Sequence, residues 1–174
     1  MDAARAEFAR YGIAGARVDR IAANAESNKA QIYHYFGSKD RLFDAVWEAL
    51  VTQITEATPI DVDDLPGYAV RLADGYAEHP DVTRLITWQR LERGDDPPHA
   101  FAVQSTRSKA DEIAKAQAEG RVSDRFEARV LLALITHLAA FWAMSSPDVL
   151  AVMNASAAKQ RRRIVRDAVA CLLA

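Results

Sequence analysis

The 174-residue sequence contains one cysteine, Cys171, and aromatic residues make up only 8% of it. A single cysteine excludes an internal disulfide framework and a cysteine-rich metal finger, and it suits a reducing compartment, so we expect a cytoplasmic protein. Cys171 is predicted to be a packing residue. Because half of the residues are hydrophobic and few are aromatic, the core is expected to consist mostly of Ala, Leu, Val and Ile.

The sequence also lacks a long apolar run, an alternating strand pattern and an excess of one charge. The longest candidate for a membrane span, residues 130–144, is interrupted by Thr136 and His137 and is shorter than the roughly 18 residues that a span needs. We therefore expect no membrane partner. The 22 Lys and Arg against 24 Asp and Glu give a net charge of -2, which excludes a polyelectrolyte and argues against disorder.

Sequence signals of catalysis and of bound metal are absent too. There is no HExxH zinc motif, glycine-rich phosphate loop or GxSxG elbow, and the four histidines are scattered. The acidic run Asp61, Asp63, Asp64 lacks the glycine and the distal Glu of a calcium loop, so it is predicted to be a solvated loop. The sequence thus predicts no cofactor, no metal site and no enzyme activity.

What the sequence does contain is apolar residues at helical spacing between glycine and proline breaks, which predicts an all-α fold. Gly12 and Gly37 are expected to end helices in the left-handed conformation, and Ser38 and Asp64 to cap the helices that follow them. The predicted helices are residues 3–11, 18–25, 29–35, a long one from Ser38 to near Pro59, 65–78, 82–93, 98–119, 124–145 and 158–173.

The helix at 124–145 is apolar around nearly its whole circumference, which indicates burial on two sides. A second copy of the chain is the preferred partner for the outer side, and a central helix in a monomeric core is the alternative. Together with the stripe on the last helix, the predicted dimerisation residues are Val130, Leu134, Leu138, Ile164, Val165, Ala168, Val169 and Leu172.

The first 36 residues predict three short helices, the last two joined by a tight turn, which is the geometry that presents a helix to the DNA major groove. Lys29 and Lys39 begin helices whose amide ends attract phosphates, and Arg17 does the same for the second helix. Gln31 suits a bidentate contact with adenine, with Asn28 as a second candidate unless it caps the helix.

Four further side chains belong to this third helix. Tyr33 and His34 lie near the face of Lys29, where a tyrosine hydroxyl donates to phosphate. Tyr35 and Phe36 are predicted to be core aromatics, because Ile32 and Phe36 share the inward face.

The run IYHYFGSKDRLF at residues 32–43 resembles the TetR family of bacterial transcriptional repressors, and the similarity covers about residues 2–50. The resemblance implies a helix-turn-helix head at residues 1–45, joined by a long helix to a ligand-binding and dimerisation body at residues 46–174. It further implies that one set of side chains holds the DNA backbone, namely Arg17, Lys29, Tyr33 and Lys39. A second set would face base edges, namely Asn28, Gln31 and His34.

The sequence departs from the family pattern at three positions of the head. Glu26 stands where the turn usually has glycine, at a cost on the order of 1 kcal/mol. Ser27 replaces a small apolar residue, and Arg17 replaces a capping Thr or Ser. Residues 1–45 carry seven Lys or Arg against six Asp or Glu, so DNA binding is expected to depend on few cations and to weaken readily with salt.

The resemblance also implies that a small effector binds between the helices of the body and changes the spacing of two heads. The expected inward-facing effector residues are Trp88, Phe101, Gln104, His137 and Phe141. A ligand near Trp88 and His137 is expected to weaken DNA binding, although His137 also fits a satisfied core histidine.

These observations favour a dimeric repressor that binds a near-palindromic, double-stranded DNA operator and is released from it by a small-molecule effector. An all-helical binding or scaffold protein whose head no longer reads DNA is the alternative, supported by Glu26 and the weak basic balance. An enzyme is a more distant reading, because no nucleophile and base occur at useful spacing.

Overall fold

The computed structural model describes residues 1–153 and 157–174, and in these ranges it contains helices and no strand. The predicted all-α fold, with an N-terminal helix-turn-helix head followed by a helical body, is confirmed. The helices are α1 Asp2–Gly15, α2 Val18–Asn24, α3 Lys29–Phe36, α4 Lys39–Ala57, α5 Leu65–Glu78, α6 Pro80–Arg93, α7 Ala100–Ala118, α8 Ala128–Met144, α9 Pro147–Ala151 and α10 Ala158–Leu173.

Local signals account for most of the helix ends. Gly37 stops α3 with φ +76°, and the Ser38 hydroxyl accepts a hydrogen bond from the Arg41 amide at 3.1 Å to cap α4. The Asp64 carboxylate caps α5 by accepting from the Gly67 amide at 2.8 Å. Gly12 has the predicted positive φ of +74°, but it kinks α1 rather than ending it. The short helix α9 was not predicted.

The chain forms two compact units, and the first comprises Met1–Ile54 together with Pro80–His99. In this unit α1 packs against α2 and α6, and α2 packs against α3. Its core is built on Phe8 and Phe43, whose rings meet edge to face at 5.2 Å, with Trp47 stacked on Phe43 at 6.2 Å. The three head helices are thus held on a fixed apolar core that includes α6.

The second unit comprises Thr55–His79 and the described part of Ala100–Ala174. Here α8 packs against α5, α7 and α10, and α10 packs against α5. The core contains one aromatic residue, Tyr68, and aliphatic side chains from every long helix, which agrees with the aliphatic core expected from the composition. The largest fully buried side chains are Leu65, Tyr68, Ile113, Leu131, Ile135, Val165 and Val169.

Candidate nucleic-acid interface

The turn between α2 and α3 has the tight form that the sequence predicts. Glu26 adopts a positive φ of +50°, and it is the one non-glycine residue in this conformation among the residues that the structure describes. The Ser27 amide donates to the Ala22 carbonyl at 2.9 Å and closes the turn. The strain expected at Glu26 is therefore present, because a side chain there crowds the following carbonyl.

Replacing Glu26 with glycine is expected to raise the free energy of unfolding of the head by about 1 kcal/mol, since glycine adopts a positive φ without this crowding. Glu26→Gln is the matched control, because it removes the charge and keeps the strain. Denaturant titration of both variants measures the difference. An equal change in the two variants would show that charge, not backbone conformation, makes Glu26 unfavourable.

Helix α3 is anchored by one side chain and leaves the rest of its surface free. Ile32 is buried, whereas Gln31, Tyr33 and His34 are exposed. The prediction that Tyr35 is a core aromatic is wrong: it is 72% exposed, with its ring against that of His34 at 5.5 Å. Phe36 is half-buried. With Ile32 as its inward anchor, this short helix buries no aromatic ring fully, and its outer face is available to a ligand.

Two of the three side chains expected to read bases already make hydrogen bonds within the turn. Asn28 Oδ1 accepts from the Gln31 amide at 2.8 Å, so capping does engage this side chain, as the sequence allowed. The Ser27 hydroxyl donates to Gln31 Oε1 at 3.0 Å. The Gln31 carbonyl oxygen has a second lone pair and its amide nitrogen is not involved in this bond, so the group keeps one acceptor and two donors for a base edge.

The three predicted cationic contacts differ in their surroundings. Lys29 Nζ pairs with the Asp19 carboxylate at 3.1 Å, and Lys39 Nζ donates to the Ala14 and Ala16 carbonyls at 3.0 and 3.2 Å. Arg17 is exposed, and its guanidinium has no partner among the described residues. As expected, Arg17 provides no side-chain cap for α2. Two of the three cations are therefore positioned by contacts inside the head.

A buried carboxylate, Glu7, orients the start of α2 and was missed by the sequence analysis. It is only 4% exposed and accepts from Arg20 Nε at 2.8 Å and from the Arg17 amide at 2.8 Å. Burial acts to raise the pKa of Glu7, but these hydrogen bonds and the Arg20 charge outweigh it, so the pKa lies below its ordinary value. The sequence signal that could have revealed this buried carboxylate is the position of Glu7 between Ala4 and Phe8 on the apolar face of α1.

The predicted effector residues are distributed over both compact units. Trp88 lies in the first unit, where its Nε1 donates to the Ala9 carbonyl at 3.3 Å. The other four lie in the second unit, and the expectation that they face its interior is wrong, because all four are exposed: Phe101, Gln104, His137 and Phe141. The buried side of α8, which includes Leu131 and Ile135, packs on α5, α7 and α10.

The predicted dimerisation residues fall into two groups. Val165 and Val169 are buried within the second unit, so the prediction that these two side chains contact a second copy is wrong; they face the α5 and α8 side of α10. Val130 and Ile164 are exposed apolar residues, as the prediction requires. The other four are half-exposed in the single chain, namely Leu134, Leu138, Ala168 and Leu172. Cys171 is exposed, which corrects its prediction as a packing residue.

The acidic run before α5 behaves as a structured loop. Asp61 Oδ1 accepts from the Asp63 and Asp64 amides at 3.2 Å, and Arg121 pairs with Asp63 at 2.6 Å. In residues 1–153 and 157–174 no cluster of three metal-ligating side chains occurs. No helix within the same ranges has the length and apolar character of a membrane span.

Comparison with protein families covers both parts of the chain. Residues 1–46 match the family of bacterial regulatory proteins described as the tetR family. Residues 64–170 match the C-terminal domain described as tetracyclin repressor-like.

The chain is similar to known transcriptional repressors and to solved structures. The HTH-type transcriptional repressor SCO4008 of Streptomyces coelicolor is 39% identical over 154 residues, covering 87% of this chain and 80% of the relative. The HTH-type transcriptional repressor NicS of Pseudomonas putida is 32% identical over 113 residues, covering 60% of this chain and 51% of NicS. The chain therefore matches about half the length of NicS.

Among solved structures, that of the transcriptional regulator SCO4942 of Streptomyces coelicolor has a TM-score of 0.87 at 39% identity, covering 98% of this chain and 94% of the other. A TetR-family structure from Rhodococcus sp. has a TM-score of 0.71 at 17% identity, covering 99% and 95% of the two chains, and supports the fold alone.

Proposed function

Because the chain belongs to the TetR family of bacterial transcriptional regulators and is a DNA-binding regulator, we propose that it is a homodimeric, cytoplasmic repressor released from a near-palindromic operator by a small effector. The observation that carries this proposal is the free outer face of α3, with Gln31, Tyr33 and His34 exposed around the buried anchor Ile32. A helix of this kind, presented by a tight turn, fits the major groove.

Within this proposal, Gln31 and His34 read base edges, and Asn28 contributes through its free amide nitrogen. Arg17, Lys29, Tyr33 and Lys39 hold the phosphate backbone. When DNA binds, a phosphate replaces the Asp19 carboxylate as the ionic partner of Lys29. Because one ionic partner is exchanged for another, Lys29 contributes less to the free energy of DNA binding.

Dimerisation is supported by an apolar stripe on the outer side of α8. Val130, Leu134, His137 and Phe141 follow one another at intervals of three or four residues, so they share one face of the helix. Val130, His137 and Phe141 are exposed and Leu134 is half-exposed. We assign this stripe, with Ile164 on α10, to the contact with a second copy. A two-fold dimer that reads successive major grooves needs its two reading helices about 35 Å apart, one turn of duplex.

Selection of bound sequences from random duplexes at two salt concentrations tests the operator part. Gln31→Ala is expected to relax the preference at one base position by about 1–3 kcal/mol, because it removes a bidentate contact. Tyr33→Phe is expected to weaken binding to all sequences alike, because it removes a phosphate contact. Binding should fall as salt rises, with two chains per selected site.

Gln160→Ala, an exposed glutamine on α10, is the matched control and should leave the selected sequence unchanged. Equal enrichment of all duplexes by the unmodified protein would contradict the repressor proposal. That result would favour a helical scaffold protein whose head does not read DNA.

A further inference from the structure

Lys109 on α7 is a half-buried cation. No carboxylate in the described ranges lies within the 4.0 Å of an ion pair from its ammonium group. Burial lowers the pKa of Lys109, and Glu112 on the same helix opposes this effect from a distance. Removing an ammonium group from water is unfavourable unless an anion or several acceptors replace the water.

One hydroxyl group contacts this ammonium, and a second hydroxyl is hydrogen-bonded to the first. Lys109 Nζ donates to Thr55 Oγ1 at 3.3 Å, and Thr55 Oγ1 is hydrogen-bonded to Ser105 Oγ at 3.0 Å. The three side chains come from the end of α4 and from α7, and all belong to the second unit. They form one connected cluster, which we call the Lys109 cluster.

The hydrogen-bonding capacity of the Lys109 cluster favours an acceptor as ligand. The ammonium has three N–H groups and uses one of them on Thr55, and the hydroxyl pair uses one of its two hydrogens internally. Two N–H groups and one O–H group therefore remain as donors. A carboxylate, with two oxygens and about four lone-pair positions, satisfies such a set and also neutralises the charge.

The neighbouring charge of Glu112 restricts the anion further. Glu112 repels a second negative charge, so a singly charged group is favoured over a phosphate dianion.

We propose that the effector site of this protein contains the Lys109 cluster and binds a monocarboxylic acid. This inference rests on the proposed function only in that the acid is also the effector. The carboxylate would accept hydrogen bonds from Lys109 and from the Thr55 and Ser105 hydroxyl pair.

The test uses the full chain without DNA and three acids paired with their neutral amides: benzoate and benzamide, phenylacetate and phenylacetamide, octanoate and octanamide. Calorimetric titration is expected to show at least one acid binding about tenfold or more tightly than its amide, because charge-assisted hydrogen bonds are lost in the amide. Lys109→Met should reduce that preference to about twofold or less. Ser105→Ala and Thr55→Val should each weaken acid binding several-fold.

Lys115→Met is the matched control, because Lys115 is an exposed lysine on the same helix, and it should bind the acids as the unmodified chain does. Lys109→Met is expected to fold, since it replaces an unpaired, half-buried charge with an apolar side chain of similar length. Equal binding of acids and amides, an acid preference that survives in Lys109→Met, or the absence of acid binding across the panel would each overturn the proposal.

Operator binding measured with and without the acid separates the two proposals. Release of DNA by an acid that needs Lys109 supports both. Lys109-dependent acid binding with unchanged DNA affinity supports the carboxylate site and contradicts effector-controlled release. Sequence-specific DNA binding by a chain that binds no acid supports the operator part and overturns the Lys109 site.

Discussion

Gly12→Ala is expected to lower the free energy of unfolding by about 3 kcal/mol. Gly12 has φ +74°, and a methyl group there would lie 2.5 Å from Glu92 Oε1 and 2.9 Å from Trp88 Cε3. The backbone conformation costs an alanine about 1–2 kcal/mol, and overpacking against a tryptophan ring costs about 1–3 kcal/mol. The indole does not move freely, because its Nε1 donates to the Ala9 carbonyl.

Gly15→Ala on the same helix is the matched control. A methyl group at Gly15 meets nothing closer than Tyr11 Cβ at 3.5 Å, an ordinary contact. Alanine is also the better helix former, so this variant should be as stable as the unmodified chain or up to about 1 kcal/mol more stable. Denaturant unfolding at one fixed chain concentration measures both, since a dimer's stability depends on concentration. Equal stabilities for the two variants would contradict the close α1–α6 contact at Gly12.

Glu7→Ala is expected to destabilise the head by about 3 kcal/mol. The substitution removes the hydrogen bonds from Arg20 and leaves the Arg17 amide at the start of α2 without its acceptor. Breaking a buried, charge-assisted arrangement costs about 3–5 kcal/mol, and the partial exposure of Arg20 places this case at the low end. Glu48→Ala, an exposed glutamate on α4, is the control and should change stability little.

The same carboxylate gives a pH dependence whose sign follows from its lowered pKa. Since the folded pKa of Glu7 lies below its ordinary value of 4.5, its contribution is fully present above that value. It is lost as the pH falls through the folded pKa. The difference in stability between the unmodified chain and Glu7→Gln should therefore shrink on acidification. A difference that grows as the pH falls would mean that Glu7 is not held ionised by Arg20.

The secondary structure and the identity of the head were largely predictable from the sequence, because their causes are local. Nine helices were predicted from the helical spacing of apolar residues and from the glycine and proline breaks between them. The helix ends at Gly37, Ser38 and Asp64 depend on residues only a few positions away. The strained turn at Glu26 was predicted from the family resemblance, because the family usually has glycine at this turn position. The five-residue helix α9 was missed, since it buries no side chain that would give a periodic signal.

The direction of individual side chains was less predictable, because it depends on which helices pack together. Tyr35 and His137 were assigned to the interior from their apolar neighbours in sequence, yet both are exposed. Glu7 was overlooked because a carboxylate is buried only where a partner such as Arg20 reaches it. Trp88 was assigned to the body, whereas α6 packs on α1, more than 70 positions away in sequence.

By itself, the sequence determined that this protein is helical and where most of its helices begin and end, because backbone conformation, capping and periodicity act over a few residues. Its resemblance to the TetR family predicted a helix-turn-helix head at residues 1–45. Only the tertiary structure decided that α6 belongs with the head, that Glu7 is a buried anchor, and that Lys109 meets Thr55 and Ser105. Those contacts join residues 10, 50 and 79 positions apart, and burial and desolvation act on them only once the helices have packed.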